Sequence, residues 1–192
     1  MSILPPPDAR ALLDCWFAPP ESAWMARWFR RDDSFDAMLE DRFGAIMAAA
    51  REGALADWEA APHGALALVI ALDQLPRNIA RGTPAAFAAD PLARASARRA
   101  IASGFDRDMR PEERMFLYLP CEHSEDLADQ QESLRLFEQL RNFPGMDFVM
   151  EYAERHHEVI VRFGRFPHRN AVLGRSSTAD ELDFLAKRPD GF

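Results

Sequence analysis

The sequence predicts an all-α fold, and three observations carry that prediction. Residues that favour helices, above all alanine, are abundant, whereas the β-branched residues number only five Val, six Ile and two Thr. Apolar residues recur at the i, i+3, i+4 spacing of one helical face. Prolines and glycines fall where helices would begin and end. We therefore expect about eight helices in a tetratricopeptide-like, antiparallel array of helical hairpins, without a sheet.

Capping residues and prolines mark the predicted helices of the first half of the chain. A Ser, Thr or Asp before an apolar run accepts backbone hydrogen bonds, and proline suits the first helical position. Because proline lacks a backbone N–H, we expect Pro76 to end or kink its helix. The predicted segments are Asp8 to Phe17, Glu21 to Phe29, Asp33 or Ser34 to Gly53, Pro62 to Pro76, a start at Thr83-Pro84, and Asp90 to Gly104.

The same rules apply to the second half. We expect Pro120 to stop one helix and Ser124 to cap the next. Residues 165–175 have no periodicity and are predicted to form an ordered loop. The predicted helices are Pro111 to Leu119, Ser124 to Leu140, Met146 to Phe163, and a last one that begins at the capping box of Thr178 and Glu181.

Length and composition bound the class of protein. At 192 residues and 28% charged, the chain suits one domain, 1–192, with its ordered core over about 8–187. A net charge of −8 counts against nucleic-acid binding. The apolar stretch 65–72 is too short to cross a bilayer, and residues 1–10 do not resemble a secretory signal. We therefore expect a soluble, cytoplasmic protein without a nucleic-acid or membrane partner.

Common cofactor and nucleophile motifs are missing from the sequence. It contains no GxGxxG, no Walker loop and no GxSxG. Cys15 and Cys121 lie far apart and have no CxxC spacing, which counts against a disulfide framework and a thiolate zinc site. The sequence thus predicts neither a resident cofactor nor a metal ligand set.

Three polar strings carry the chemistry that the sequence offers. The first surrounds Pro76, the second follows Pro120, and the third follows the helix end predicted at Gly164. The candidate ligand-binding residues are Asp73, Gln74, Arg77, Arg162, Arg165, Arg169, Asn170 and Arg175, and the candidate catalytic residues are Glu122, His123 and His168.

The third string is basic within an acidic chain. Between Arg155 and Arg175 there are five arginines and a single acid, Glu158. Arginine offers planar, bidentate donors to carboxylate or phosphate, so this string predicts a site for a small anion. The alternative is that these arginines pair with acids of neighbouring helices and serve only the structure.

The second string supplies acid–base groups. A histidine beside a carboxylate, as in Glu122-His123, suits proton transfer near neutral pH. The alternative is an ordinary helix start, with Ser124 as the cap and nearby acids favoured by the helix dipole. We interpret His156, on the apolar side of its predicted helix, as a hydrogen-bonded core residue.

The first string is ambiguous in the same way. Asp73 and Arg77 have the i, i+4 spacing of a helix salt bridge, yet they belong to an apolar element just before a proline. Burial of charge is costly unless the charge is paired. The string is therefore either a lock between helices or one wall of a site.

These strings also resemble a known family. The residues LDQLPRN at 72–78, PCEHSE at 120–125, RFGRFPHRN at 162–170 and LGR at 173–175 resemble the bacterial domain-of-unknown-function family 924, over nearly the whole chain. The resemblance implies a tetratricopeptide-like helical array. It implies no activity, substrate or catalytic residue.

Two functional hypotheses follow. The first is binding or turnover of a small anionic molecule in a polar pocket shared by the three strings, with His168 or His123 exchanging a proton. The second is a helical module that binds a protein or peptide partner without catalysis, as stacked helical hairpins do. A homodimer is compatible with both.

Overall fold

The computed structural model describes residues 5–18, 28 and 30–188. Within that part of the chain there are eight α-helices and no β-strand, as the sequence predicts. The predicted segment 21–29 lies outside the described residues, apart from Trp28. The helices are α1 Pro7–Trp16, α2 Asp33–Arg51, α3 Pro62–Ile79, α4 Asp90–Ala102, α5 Pro111–Glu122, α6 Leu127–Glu138, α7 Asp147–Phe163 and α8 Ala179–Ala186.

The described residues divide into two compact units. In the unit that contains α1 to α4, the most buried helix is α3, which contacts α1, α2 and α4. Gly64 near its start allows a close approach, because a Cβ there would lie 2.2 Å from the carbonyl oxygen of Trp58. The α3 helix therefore packs directly against the backbone of the 3₁₀ turn Ala56–Ala60.

The unit that contains α5 to α8 is built around contacts of α6 with α5 and α7. Tyr118 of α5 packs edge-on against Phe137 of α6, with ring centroids 6.0 Å apart, and both rings are buried. The α7 helix ends at Gly164, whose φ of +68° is left-handed and is easiest for glycine. The short 3₁₀ turn Pro167–Arg169 follows and contacts α8.

Pro76, which we expected to end or kink its helix, and Pro120, which we expected to stop one, both lie inside helices. The α3 helix continues through Pro76 to Ile79, and α5 continues through Pro120 to Glu122. In each case the flanking turns are buried, so packing outweighs the lost N–H hydrogen bond. A side chain also stabilises the helical turn around Pro76, since Asn78 Nδ2 donates to the Gln74 carbonyl at 3.0 Å.

Several caps also differ from the prediction. The N-cap of α1 is Pro6 rather than Asp8, and the N-cap of α4 is Ala89 rather than Asp90. Thr83-Pro84 opens only a 3₁₀ turn. The N-cap of α6 is Asp126, whose carboxylate accepts from the Ala128 N–H at 2.8 Å. The capping box of α8 is confirmed.

No described helix is both long enough and apolar enough to span a bilayer.

Candidate functional site

Ring contacts connect three histidines of the second unit and one phenylalanine. His123 follows α5, His156 lies in α7, and His168 lies in the 3₁₀ turn beyond it. The ring centroids of His123 and His156 are 6.4 Å apart, and the Phe166 centroid is 5.5 Å from His156 and 5.6 Å from His168. We name this group the histidine cluster, and it comprises Glu122, His123, His156, Phe166, His168 and Arg169.

The α7 backbone fixes the hydrogen-bonding state of His156. Its Nδ1 lies 2.8 Å from the carbonyl oxygen of Tyr152 and 3.4 Å from Oε1 of the buried Glu122. A carbonyl oxygen only accepts, so Nδ1 must carry the hydrogen. In the neutral ring the lone pair therefore lies on Nε2, which is the proton or hydrogen-bond acceptor of this side chain.

His156 stays uncharged at neutral pH. Burial lowers its pKa to about 3, and the hydrogen bond to the Tyr152 carbonyl opposes that shift only in part. The positive charges of His123, His168 and Arg169 lower the pKa further. The site thus presents a neutral imidazole surrounded by groups that carry, or can acquire, positive charge.

Arg169 is the cation of the cluster. It is buried, and its guanidinium carbon lies 4.5 Å from the centroid of the Phe166 ring. The 3₁₀ turn explains this position, because the Arg169 N–H donates to the Phe166 carbonyl at 3.1 Å and so folds the chain back over that ring. This distance is that of a cation–π interaction between the guanidinium and the Phe166 ring.

Glu125 ties the turn before α6 to the loop after α7. Its carboxylate accepts from the Phe166 N–H at 2.8 Å and from two nitrogens of Arg175 at 2.7 and 2.9 Å. Burial raises the Glu125 pKa, but the hydrogen bonds from Arg175 and Phe166 outweigh it, so the pKa is lowered overall. This one carboxylate therefore links the turn that carries His123 to the segment that carries His168.

A buried amide fixes the turn that carries His123. Gln130 Nε2 donates to the carbonyl oxygens of Glu122 and Ser124 at 2.6 and 2.7 Å. The Ser124 hydroxyl donates to Asp129 at 2.6 Å and accepts from the Asp126 N–H. Ser124 therefore stabilises the connection between α5 and α6 rather than capping the helix.

Arg165 forms a second clasp in the same unit. Its Nε and Nη2 donate to the two carboxylate oxygens of Glu181 at 2.7 and 2.8 Å, and Nη2 also reaches the Ser176 carbonyl. The hydrogen bonds from Arg165 are the main reason that the Glu181 pKa falls to about 2. Asn170 Nδ2 donates to the Ser177 hydroxyl at 3.1 Å, close to the same capping box.

The first polar string lies in the other unit and joins two helices. Arg77 Nη1 and Nη2 each lie 3.0 Å from a carboxylate oxygen of Asp90, and Nη1 also lies 3.1 Å from Oδ1 of the fully buried Asp73. Gln74 Nε2 donates to the other Asp73 oxygen. Asp90 therefore belongs to this ion-pair network and not to a helix cap.

The comparison with protein families agrees with the three strings. The model of a family described as bacterial proteins of unknown function, DUF924, matches residues 12–189. The chain belongs to the DUF924 family.

A solved DUF924-like structure is similar over nearly its whole length. It is described as a protein of unknown function, ATU0120, from Agrobacterium tumefaciens. The two chains are 38% identical, the match covers 93% of this chain and 97% of that chain, and the TM-score is 0.86. No curated protein matches the present chain.

In this DUF924 chain only some of the predicted site residues belong to the histidine cluster. Glu122, His123, His168 and Arg169 meet in the histidine cluster, whereas Arg165 and Arg175 are each engaged by a carboxylate. Arg162 lies on the exposed side of α7. Within the described residues, no group of three His, Cys, Asp or Glu side chains has the arrangement of a metal site. That all three strings share one pocket stays a prediction.

The residue that sequence analysis left outside the site is His156. Its predicted position on the apolar side of α7 is confirmed, since its side chain is 12% exposed. The signal lay in its spacing from Tyr152: a histidine four residues after a helical residue can donate to that residue's carbonyl. This DUF924 helix therefore brings an oriented imidazole to the other two histidines.

Proposed function

We propose that this protein binds a small anionic molecule at the histidine cluster and exchanges a proton with it. The observation that carries the proposal is the series of ring contacts from His123 to His156, Phe166 and His168, with the guanidinium of Arg169 over the Phe166 ring. The ligand class is a small carboxylate or phosphate, because these are the anions that guanidinium and imidazole donors recognise.

Local charge supports an anionic ligand. The chain as a whole carries −8, yet His123, His168 and Arg169 lie near His156 and oppose its protonation. A positive region inside an acidic protein attracts small anions selectively, and partial burial reduces the screening of that attraction by salt. Glu122, next to His156, limits the net positive charge of the cluster and so favours a ligand of low charge.

The division of labour among the histidines follows from their surroundings. With its low pKa, His156 is a weak base, and it suits the orientation of a ligand through its neutral Nε2. His123 is half-buried and His168 is exposed, so these two have access to solvent and suit proton exchange. Glu122 would position His156 rather than transfer the proton itself.

The other predicted ligand residues contribute less to this proposal. An anion would have to displace a bidentate carboxylate to reach Arg165, Arg175 or Arg77. Asp73, Gln74 and Asn170 likewise have partners within their own networks. We propose structural roles for these residues, which keep the backbone of the cluster and of the α3–α4 pair in place.

The interaction-module hypothesis remains the alternative. Large apolar side chains are exposed on α4, α6, α7 and α8, which include Leu92, Leu127, Val161 and Leu182. Single exposed apolar residues are normal on soluble proteins and do not define a partner. A protein or peptide partner, a homodimer, a tetratricopeptide-like array and a cytoplasmic location therefore remain predictions from the sequence.

The test is a thermal-shift screen with inorganic phosphate, nucleotides and small carboxylates. A ligand of the folded state present at about 100 times its Kd stabilises by about 2.7 kcal/mol, and the melting temperature rises. His168→Gln changes an exposed side chain and should reduce the rise without loss of fold, and Arg169→Gln should abolish it. Histidine ring NMR should show shifts of His123 and His168 on ligand addition.

The matched control is His157→Asn, which changes the neighbouring histidine of α7 outside the cluster and should leave the melting-temperature rise intact. The proposal fails if no compound of the panel raises the melting temperature. It also fails if His168→Gln and Arg169→Gln both respond to the ligand as the wild type does.

A further inference from the structure

A groove between α7 and α8 lies apart from the histidine cluster on the helix surface. It has a volume of about 280 Å³ and is lined by Glu158, Val159, Arg162, Asp183, Phe184, Lys187 and Arg188. On a helix with 100° per residue, Arg162 points about 120° away from His156. The groove is therefore a second feature of the same unit.

Two arginines of this groove each lie close to the same ring, Phe184. The guanidinium carbons of Arg162 and Arg188 lie 5.9 and 5.2 Å from the centroid of Phe184. Phe184 is half-buried, because its other neighbour is Phe163, with ring centroids 5.2 Å apart. The guanidinium groups of Arg162 and Arg188 therefore both lie next to the apolar ring of Phe184.

Arg162 and Arg188 differ from most of the other arginines of their unit. Carboxylates pair with six of them there, namely Arg110, Arg135, Arg141, Arg155, Arg165 and Arg175. Within the described residues, Arg162 and Arg188 make stacking contacts with aromatic rings but form no ion pair with a carboxylate. Two like charges at one ring repel each other unless an anion lies between them.

We propose that the groove between α7 and α8 is a binding site for a compact oxyanion, a phosphate or a carboxylate, held between Arg162 and Arg188. Guanidinium groups match the oxygens of both anions in a planar, bidentate manner. The volume is just below the range of about 300–1,000 Å³ that is typical of ligand pockets, so the ligand is small.

The acids of the groove set the charge of that ligand. Asp183 pairs with Lys187 at 2.7 Å and so neutralises it. Glu158, one turn before Arg162, offsets one of the two remaining positive charges. The lining therefore carries a net charge of +1, which suits an ion with one or two negative charges and disfavours polyphosphates.

The test uses inorganic phosphate and the backbone amide NMR spectrum of the full chain. Saturable shifts are expected at the amides of residues 158–162 and 183–188. Arg162→Gln and Arg188→Gln should each weaken phosphate binding about tenfold, because each change removes a charge-assisted hydrogen bond to the anion. Glu158→Gln should tighten binding, because it removes the opposing charge.

The matched control is Arg155→Gln, which removes an exposed arginine of the same helix that already pairs with Glu151. It should leave the groove shifts unchanged. All of these side chains are half-buried or exposed, so folding is retained and the amide spectrum verifies it. Phosphate shifts confined to the histidine cluster would overturn this site and leave the proposed function standing. Equal binding by the wild type, Arg162→Gln and Arg188→Gln would overturn it as well.

Discussion

Arg77 binds Asp90 across the α3–α4 pair through two guanidinium nitrogens, each 3.0 Å from a carboxylate oxygen. The same guanidinium lies 3.1 Å from the fully buried Asp73. One cation thus compensates two carboxylates inside the packed unit. In a buried ion pair of this kind, removal of one partner lowers the free energy of unfolding strongly, because the other charge stays buried without compensation.

Replacement of Arg77 by Met should therefore destabilise the protein strongly. The change leaves the Asp73 carboxylate buried without its cation, and loss of one member of a buried pair costs about 3–5 kcal/mol. Arg81→Gln is the control, because Arg81 pairs with Asp36 at the surface, where an ion pair contributes about 0–1 kcal/mol. Urea unfolding measures both, and equal losses would contradict a special role for Arg77.

Gly64→Ala should destabilise the first unit although alanine favours helices. The new Cβ would lie 2.2 Å from the Trp58 carbonyl oxygen, so the backbone of one element has to move. Overpacking of this kind costs about 1–3 kcal/mol. Gly44→Ala in α2 meets no atom closer than 3.9 Å and should stabilise by about 0.5–1 kcal/mol. Thermal unfolding of the two variants should give melting temperatures that move in opposite directions.

His156 should make stability depend on pH between about 6.5 and about 3. The unfolded histidine binds a proton below its ordinary pKa of about 6.5, whereas the folded one resists protonation until about pH 3. The unfolded state thus binds more protons in this window, and the free energy of unfolding falls as the pH falls. His156→Asn keeps an amide donor near Nδ1 and should flatten this part of the profile.

The check for His156 is a series of urea titrations with His157→Asn as the neighbouring control. Ring NMR gives a direct readout, since the His156 signals should stay constant from pH 8 to about pH 5. A His156 titration near pH 6.5 in the folded protein would contradict the prediction.

Glu181 should make the stability of the protein depend on pH in a more acidic range than His156 does. Its pKa is about 2 in the folded protein, below its ordinary value, mainly because Arg165 donates to it. The stability that it contributes is complete above about pH 4.5 and is lost as the pH falls toward 2. Glu181→Gln should reduce the stability difference between pH 7 and pH 3, as measured by thermal unfolding. Glu138→Gln, which removes the surface pair with Arg141, should leave that difference nearly unchanged.

The sequence predicts the helices well where local chemistry decides. Thr178 and Glu181 form the expected capping box, and Gly164 ends α7 in the expected left-handed conformation. Local rules fail at Pro76 and Pro120, because burial of the surrounding turns is a tertiary contribution that no single residue reveals. Asp90 looks like a helix cap in sequence, but the cation that binds it comes from 13 residues earlier.

The sequence predicts which residues belong to the candidate site, but it does not predict which carboxylates pair with the nearby arginines. The second and third strings do contain Glu122, His123, His168 and Arg169, which meet in space. Whether an arginine binds a carboxylate of its own chain depends on acids 16 or 50 residues away, as for Arg165 and Arg175. Those distances along the chain lie beyond any motif, so the sequence does not show which arginines form ion pairs.

The hydrogen bonds of Glu125 to distant parts of the chain affect the order in which the protein folds. It accepts from Phe166 and Arg175, which are 41 and 50 residues further along the chain. Contacts of such long range close large loops and form late, after neighbouring helices have paired. In a nascent chain that does not yet include Arg175, the helices next to His123 and His156 can already be formed. The ion pair between Glu125 and Arg175, which helps to hold the His168 segment in place, is still missing. Any binding competence of the three imidazoles should thus begin only after Arg175 has been synthesised.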